Sequence, residues 1–382
     1  MSPQTSPAAG PSDGAEQPRT RVAVVFGGRS GEHPISCVTA GGVLRAIDRE
    51  RYDVVPIGIT TEGQWVLVED GHDLLSLEAD ELPHVGAAPA EVVLPMGDGA
   101  RELRLTEPGK VPAVLGSVDV VLPLLHGPFG EDGTLQGMLE MAGLPYVGSG
   151  VLASAVGMDK HYMKVVLAGH GLPVGPYTVI TPRQWRTDRA AALDAVAGLG
   201  LPVFVKPARA GSSLGITRVE RAEDLEDAVA EAQRHDPKVI VEAALAGREI
   251  ECAVLEGRGD DEPRTALPGE IVVADHAFYD FASKYTAAEG VQLSCPADLA
   301  QETTERVRTV AAEAFEAIGC EGLARVDFFV DGDRLTINEI NTMPGFTPYS
   351  MYPLMWERTG LSYPDLVDEL IQLALERPVG LR

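Results

Sequence analysis

Residues 323–345, LARVDFFVDGDRLTINEINTMPG, decide how the rest of the chain is read. Side chains alternate faces along a strand, so Arg325 and Asp327 share one face while Val326, Phe328 and Val330 fill the other. In the returning strand Glu339 and Asn341 are expected to share a face with Leu335 and Ile337. Asp327, Glu339 and Asn341 would then gather two carboxylates and an amide oxygen, a hard oxygen set that suits magnesium held together with phosphate oxygens. Both sets face one way only if the turn holds an odd number of residues, for example a three-residue loop containing Gly332 with a bulge, and that register is the expected one. An edge hairpin with its acidic face in solvent is the alternative. The Pro-Gly turn that follows weighs against it, because backbone N–H groups are thereby set beside the acids.

Working outward, PVFVKPARAGSSLGITRV (202–219) reads as strand, glycine-rich loop, strand. Lys206 ends the first strand, and the run from Gly211 to Gly215, with Ser212 and Ser213, can bring N–H groups close to phosphate. The segment matches neither GxxxxGK[ST] nor GxGxxG, which disfavours a P-loop enzyme and a dinucleotide-dependent dehydrogenase. Asp159 caps a helix that places Lys160 at its N-terminus, where anions are attracted. Glu242, ending VIVEA, and Glu249, alternating with Ile250, Cys252 and Val254, are candidates for ribose hydroxyls and a lysine ammonium.

Nearer the start, RVAVVF (21–26) is a buried strand, followed by a loop, a helix that Ser36 could cap, and the strand DVVPIGIT. VDVVLPLL (118–125) is a further buried strand, and His126 lies at its end, where α/β sheets place ligand-binding groups. The fold class is α/β plus α+β. Expected divisions are a disordered tail at 1–20, a parallel α/β domain at 21–148, a central domain at 149–241 and a C-terminal domain at 242–382.

The 57 acidic and 31 basic residues give a net charge of −26, which disfavours nucleic acid and anionic membrane as partners. Any polyphosphate must be held by local lysines, N–H groups and metal. No stretch approaches the roughly 18 to 20 apolar residues of a membrane-spanning helix. Cys37, Cys252, Cys295 and Cys320 have no ligand spacing, so a reducing cytoplasm is the expected location.

The ordered set of lysines, glycine loop, glutamates and hairpin acids resembles the ATP-grasp enzymes. Within them GGRSGEHPIS, HGPFGEDG, MDK, KPARAGSSLG, FYDFASKY and NEINTMPGFTPYS resemble the D-alanine:D-alanine ligases, from about Arg21 to the last helix. The resemblance implies two domains clasping ATP, with Lys160, Lys206 and Ser213 at the phosphates, Glu242 at the ribose and Glu249 in the nucleotide pocket. It implies two Mg2+ (or Mn2+) ions on Asp327, Glu339 and Asn341. Glu32 would receive the first D-alanine's ammonium and link to Ser212 and Tyr285; His126 would lie by that substrate's carboxylate, and Arg325 by the developing oxyanion. Lys284 would contact the transferred phosphate from a lid at about 279–292, and Gly345, Ser350 and Met351 would position the second D-alanine. Ser212 and Tyr285 are the candidates to take the attacking amine's proton. A homodimer serving peptidoglycan precursor synthesis is likewise implied. The rivals are a D-alanine:D-lactate depsipeptide ligase, an ATP-grasp carboxylase-type enzyme and, from another class, a non-catalytic nucleotide-binding α/β protein.

Overall fold

A computed structural model describes residues 19–69, 82–94, 101–273, 291–378 and 380. The chain begins with β1 (Thr20–Gly27), α1 (His33–Ala46), β2 (Tyr52–Ile59), β3 (Trp65–Leu67), β4 (Glu91–Val93), β5 (Glu102–Thr106), β6 (Ala113–Ser117), β7 (Val120–Pro123) and α2 (Thr134–Ala142). The first sheet runs β3-β2-β1-β7, with β1 parallel to both β2 and β7, while β4, β5 and β6 form a separate antiparallel meander. Thr20 already pairs with Tyr52, so the first strand starts one residue inside the expected tail; residues 1–18 lie outside the described residues.

Helix α1 starts earlier than its sequence signals. Glu32 occupies the N-cap position and Pro34 the first turn, where a missing N–H costs nothing. Ser36 is therefore no cap. Its hydroxyl donates to the Leu124 carbonyl at 2.6 Å and accepts from Gly27 N–H at 2.7 Å, tying helix, β1 and the end of β7 together.

Next come α3 (Val151–Met158), α4 (Lys160–Gly169), β8 (Tyr177–Ile180), α5 (Pro182–Thr187), α6 (Arg189–Ala197), β9 (Val203–Pro207), β10 (Thr217–Val219), α7 (Leu225–Ala232) and β11 (Val239–Ala243). An antiparallel sheet of order β10-β9-β11-β8 buries Val203, Val205, Val239 and Val241 against Ala192 and Val196 of α6 and Val229 of α7. The last stretch holds β12 (Arg248–Leu255), β13 (Arg264–Thr265), β14 (Gly269–Val273), β15 (Val291–Ser294), α8 (Gln301–Ile318), β16 (Leu323–Asp331), β17 (Arg334–Asn341), α9 (Met351–Thr359) and α10 (Tyr363–Glu376). Its sheet runs β15-β14-β12-β16-β17, with β13 beside β12. Helices α3 and α4, grouped by sequence with the central segment, put Ala153, Met163 and Leu167 into the core of this larger sheet with Phe315 and Phe328.

The decisive hairpin reaches its face by a different device from the expected one. Asp331 pairs with Arg334, leaving Gly332 and Asp333 as a two-residue turn, with Gly332 at φ 56°, a conformation glycine adopts without steric cost. An even turn alone would set the acids on opposite faces. The register shifts instead within β17: Phe328 faces Ile337 but Asp327 faces Glu339, so Asn338 is an extra, bulged residue. Glu339 and Asn341 consequently leave the face of Leu335 and Ile337, which join Val326 and Phe328 in the core, and stand opposite Asp327 and Arg325.

Candidate active site

Three loops and two sheets converge on one cavity of about 1020 Å³. β9 contributes through simple alternation: Val203 and Val205 point into the core, so Phe204 and Lys206 point to the cavity. Lys206 pairs with Ile240, which places Glu242 diagonally across on the same face. The Lys206 ammonium donates to Glu242 Oε2 at 2.6 Å, and Glu242 Oε1 lies 3.1 Å from the ammonium of Lys164. Burial alone would raise the Glu242 pKa, but Lys206 and Lys164 overcome it and hold the carboxyl at about 2. Burial likewise works against the charged form of Lys206, yet Glu242, Glu339 and Glu249 keep that ammonium above its ordinary pKa. Both Glu242 oxygens are engaged by ammonium groups; Glu249, exposed on β12, also lines the cavity, and its charge acts on Lys206.

Lys160 enters from the start of α4, where Asp159 Oδ1 accepts the N–H groups of His161 and Tyr162. Its ammonium donates to the Ala210 carbonyl at 3.0 Å and lies 3.3 Å from Glu339 Oε2. The 208–215 loop is fixed at its root by Asp236, which accepts the Arg209 N–H and both ends of its guanidinium. At its tip Ser212 and Ser213 hold φ of 48° and 60°, a left-handed conformation that costs energy outside glycine. Ser212 Oγ donates to Glu32 Oε1, so the loop is joined to the entry of α1.

Beyond Glu32 the floor is HGPFGEDG. His126 is 3 % exposed, with Nε2 3.4 Å from Thr39 Oγ1. Burial pushes its pKa down against the opposing pull of Glu32 and a hydrogen bond with the Met343 backbone. Gly133 sits at the N-cap of α2, and Asp132 just before it accepts the N–H groups of Phe129 and Thr134. Glu131, which sequence reasoning passed over, accepts the Gly127 N–H, and burial together with Glu32 pushes its pKa up to about 8. A carboxyl raised from its ordinary 4.5 adds stability below that value and loses it as pH rises through about 8. Glu131→Gln is therefore expected to melt progressively higher relative to the parent chain as pH goes from 5 to 8.5; a constant difference in Tm across that range would contradict it.

On the hairpin, Arg325 makes two 2.7 Å hydrogen bonds to Asp327 and lies 3.3 Å from Glu251 Oε2, while Asn341 Nδ2 donates to Asp327 Oδ2 at 3.0 Å. Arg325 is thus fixed between two carboxylates at the cavity wall. Among the described residues no three His, Cys, Asp or Glu side chains form a metal-holding group. Asp327 and Glu339 nevertheless stand directly opposite one another, with Asn341 next to them, and all three line the cavity. This oxygen-only set fits Mg2+ that completes its coordination with phosphate oxygens, and not a caged ion. Gly345 and Ser350 line the far end, where Ser350 Oγ accepts the Thr347 N–H at 3.1 Å. The Met351 side chain is buried, so this residue can meet a ligand through its N–H at the start of α9. Lys284 and Tyr285 lie outside the described residues.

Lys164, Glu131 and Glu251 were missed. Lys164 follows Lys160 by four positions on one helix face, and Glu251 follows Glu249 by two on one strand face, so spacing alone could have marked both.

Family models described as "D-ala D-ala ligase N-terminus" and "D-ala D-ala ligase C-terminus" match residues 21–149 and 166–372. A D-alanine–D-alanine ligase of Arthrobacter sp. strain FB24 is 60% identical over 95% of this chain and 96% of its own. Among solved structures, the VanG D-Ala:D-Ser ligase of Enterococcus faecalis superimposes with a TM-score of 0.80 at 35% identity, covering 94% of this chain and 100% of that one. The D-alanine-D-alanine ligase of Coxiella burnetii gives a TM-score of 0.76 at 35% identity, covering 94% of each.

Proposed function

The chain belongs to the D-alanine–D-alanine ligase family, and on that premise we propose that it joins two D-alanine molecules at the expense of ATP, through a D-alanyl phosphate, to supply peptidoglycan precursors. The observation that carries the reading is the single cavity, in which a cationic wall of Lys160 and Lys206 faces the acids of β16 and β17 while Glu32 and His126 form the floor. This arrangement would set a nucleotide's phosphates beside a small amino acid and would let a chain of net charge −26 hold a polyanion.

A carboxylate oxygen of the first D-alanine attacks the γ-phosphorus as its bond to ADP breaks. Lys160 and Lys206 neutralise the charge spread over the phosphoryl oxygens, and N–H groups of the glycine-rich loop, at Ser213 in particular, orient them. Magnesium on Asp327, Glu339 and Asn341 would supply Lewis-acid neutralisation of the same oxygens. Glu32, fixed by Ser212, binds the first substrate's ammonium, and His126 donates toward its carboxylate region. The amine of the second D-alanine then attacks the acyl carbon, passes its proton to Ser212 or Tyr285, and expels phosphate together with the former carboxylate oxygen. Arg325 and the N–H groups after Pro344 stabilise the oxyanion, each well-placed donor contributing roughly 3 kcal/mol. The Ser350 hydroxyl and the first N–H groups of α9 receive the second carboxylate. We assign the ribose to Glu249, which is exposed at the cavity wall, and the retention of Lys206 to Glu242, to which it is hydrogen-bonded.

Comparing ADP release with D-alanine alone, with D-alanine plus D-lactate, and without substrate tests the activity. Release with D-alanine alone and formation of the dipeptide are expected; release that ignores D-alanine would overturn the reading. Tyr285→Phe is expected to raise the depsipeptide share about tenfold by loosening selection for the amine. Unchanged selectivity would exclude the phenol as selector. ATP dependence and four free thiols, at Cys37, Cys252, Cys295 and Cys320, favour the cytoplasm, and among the described residues no helix is long and apolar enough to cross a membrane. The assembly proposed is a homodimer.

A further inference from the structure

We propose that Lys164 is a positioning residue that keeps the charge of Lys206 available to the nucleotide phosphates and holds the β17 bulge in register, an inference that rests on the reading of the cavity as an ATP site. Lysine is seldom fully buried without partners, and Lys164 is 3 % exposed. Two acceptors account for its burial. One is Glu242 Oε1 at 3.1 Å; the other is the backbone carbonyl of Asn338, also at 3.1 Å. Asn338 is the residue by which β17 shifts register, and a bulged residue steps out of the ladder, so its partly buried carbonyl takes a donor from elsewhere. The ammonium of Lys164 is that donor. Its position ties the turn of register that brings Glu339 opposite Asp327 to the carboxylate that retains Lys206.

Charge balance supplies the second half of the argument. Lys164, Lys206 and Glu242 taken by themselves carry one positive charge, with Glu339 and Glu249 also acting on Lys206. Removing Lys164 would leave Glu242 neutralising Lys206 outright, 2.6 Å away, and the wall facing the phosphates would keep only the charge of Lys160. A unit charge lost several ångströms from a phosphate at a partly buried site corresponds to an affinity change on the order of 50-fold.

The test is calorimetric binding of a non-hydrolysable ATP analogue with Mg2+ to the full chain and its variants. Lys164→Met is expected to weaken binding on the order of 50-fold, and Lys164→Arg, which keeps the charge, to stay within about fivefold of the parent. The double variant Lys164→Met with Glu242→Gln restores one positive charge and should bind at least about fivefold more tightly than Lys164→Met. That recovery separates a charge-keeping role from mere loss of packing. Parent-like binding by Lys164→Met, or a double variant no tighter than the single one, overturns the proposal. Should Lys164→Met yield no folded protein, Lys164→Gln decides in its place: it removes the charge while keeping a donor for the Asn338 carbonyl, and binding within about fivefold of the parent overturns the proposal. A parent chain that binds the analogue but makes no dipeptide would end the ligase reading and leave the role of Lys164 intact.

Discussion

Lys206→Ala is expected to lower phosphate release from ATP in the presence of D-alanine by about 10³-fold or more, with the fold retained. Lys206 projects from the middle of a sheet whose core side is filled by Val203 and Val205, and its ammonium faces the cavity. Truncation leaves that core untouched. What disappears is a charge that is fixed before substrate arrives and that costs no reorganisation when negative charge shifts between phosphate oxygens. Glu242 would keep Lys164 as its remaining cation, so the carboxylate is not stranded and the variant should melt within a few degrees of the parent. Turnover near the parent's would remove Lys206 from the mechanism.

Glu339→Gln is the second large effect, expected at about 10²- to 10³-fold in turnover together with a rise of at least about tenfold in the Mg2+ needed for half-maximal rate. The amide preserves the size of the side chain and its place opposite Asp327, while removing one of the two carboxylate charges that attract the ion. Lys160, 3.3 Å from Glu339, would lose its counter-charge and remain held by the Ala210 carbonyl. The paired change in rate and Mg2+ requirement is the informative result. A variant that lost rate with an unchanged Mg2+ requirement would place Glu339 outside the ion's coordination.

Much of this site was legible in the sequence because strand alternation is a strict geometric rule. The outward direction of Lys206, Glu249 and Asp327 follows from apolar neighbours at every second position, and Asp159 announces the helix that presents Lys160. The hairpin was legible as a requirement and not as a device. Alternation showed that one extra residue was needed, but a bulge can occupy any point of a ladder, and its place at Asn338 is set by Lys164 and by the packing of Ile337 and Ile340. Helix α1 was read as starting too late because Glu32 makes no side-chain cap hydrogen bond, while Ser36 has the chemistry of a cap but uses its hydroxyl on β1 and β7. The partner of each buried charge was the least visible feature. Lys206 with Glu242, Arg325 with Asp327 and Glu251, and Glu131 beside Glu32 depend on long-range approach that no local pattern encodes.

The claim on which the rest depends is that the γ-phosphoryl group passes to the carboxylate of the first D-alanine before the peptide bond forms. D-Alanine carrying 18O in both carboxylate oxygens, turned over with ordinary ATP in ordinary water, should yield inorganic phosphate containing one 18O atom for each dipeptide made. Unlabelled phosphate accompanying dipeptide formation would contradict the account, because the oxygen lost on amide formation would then have left by another route.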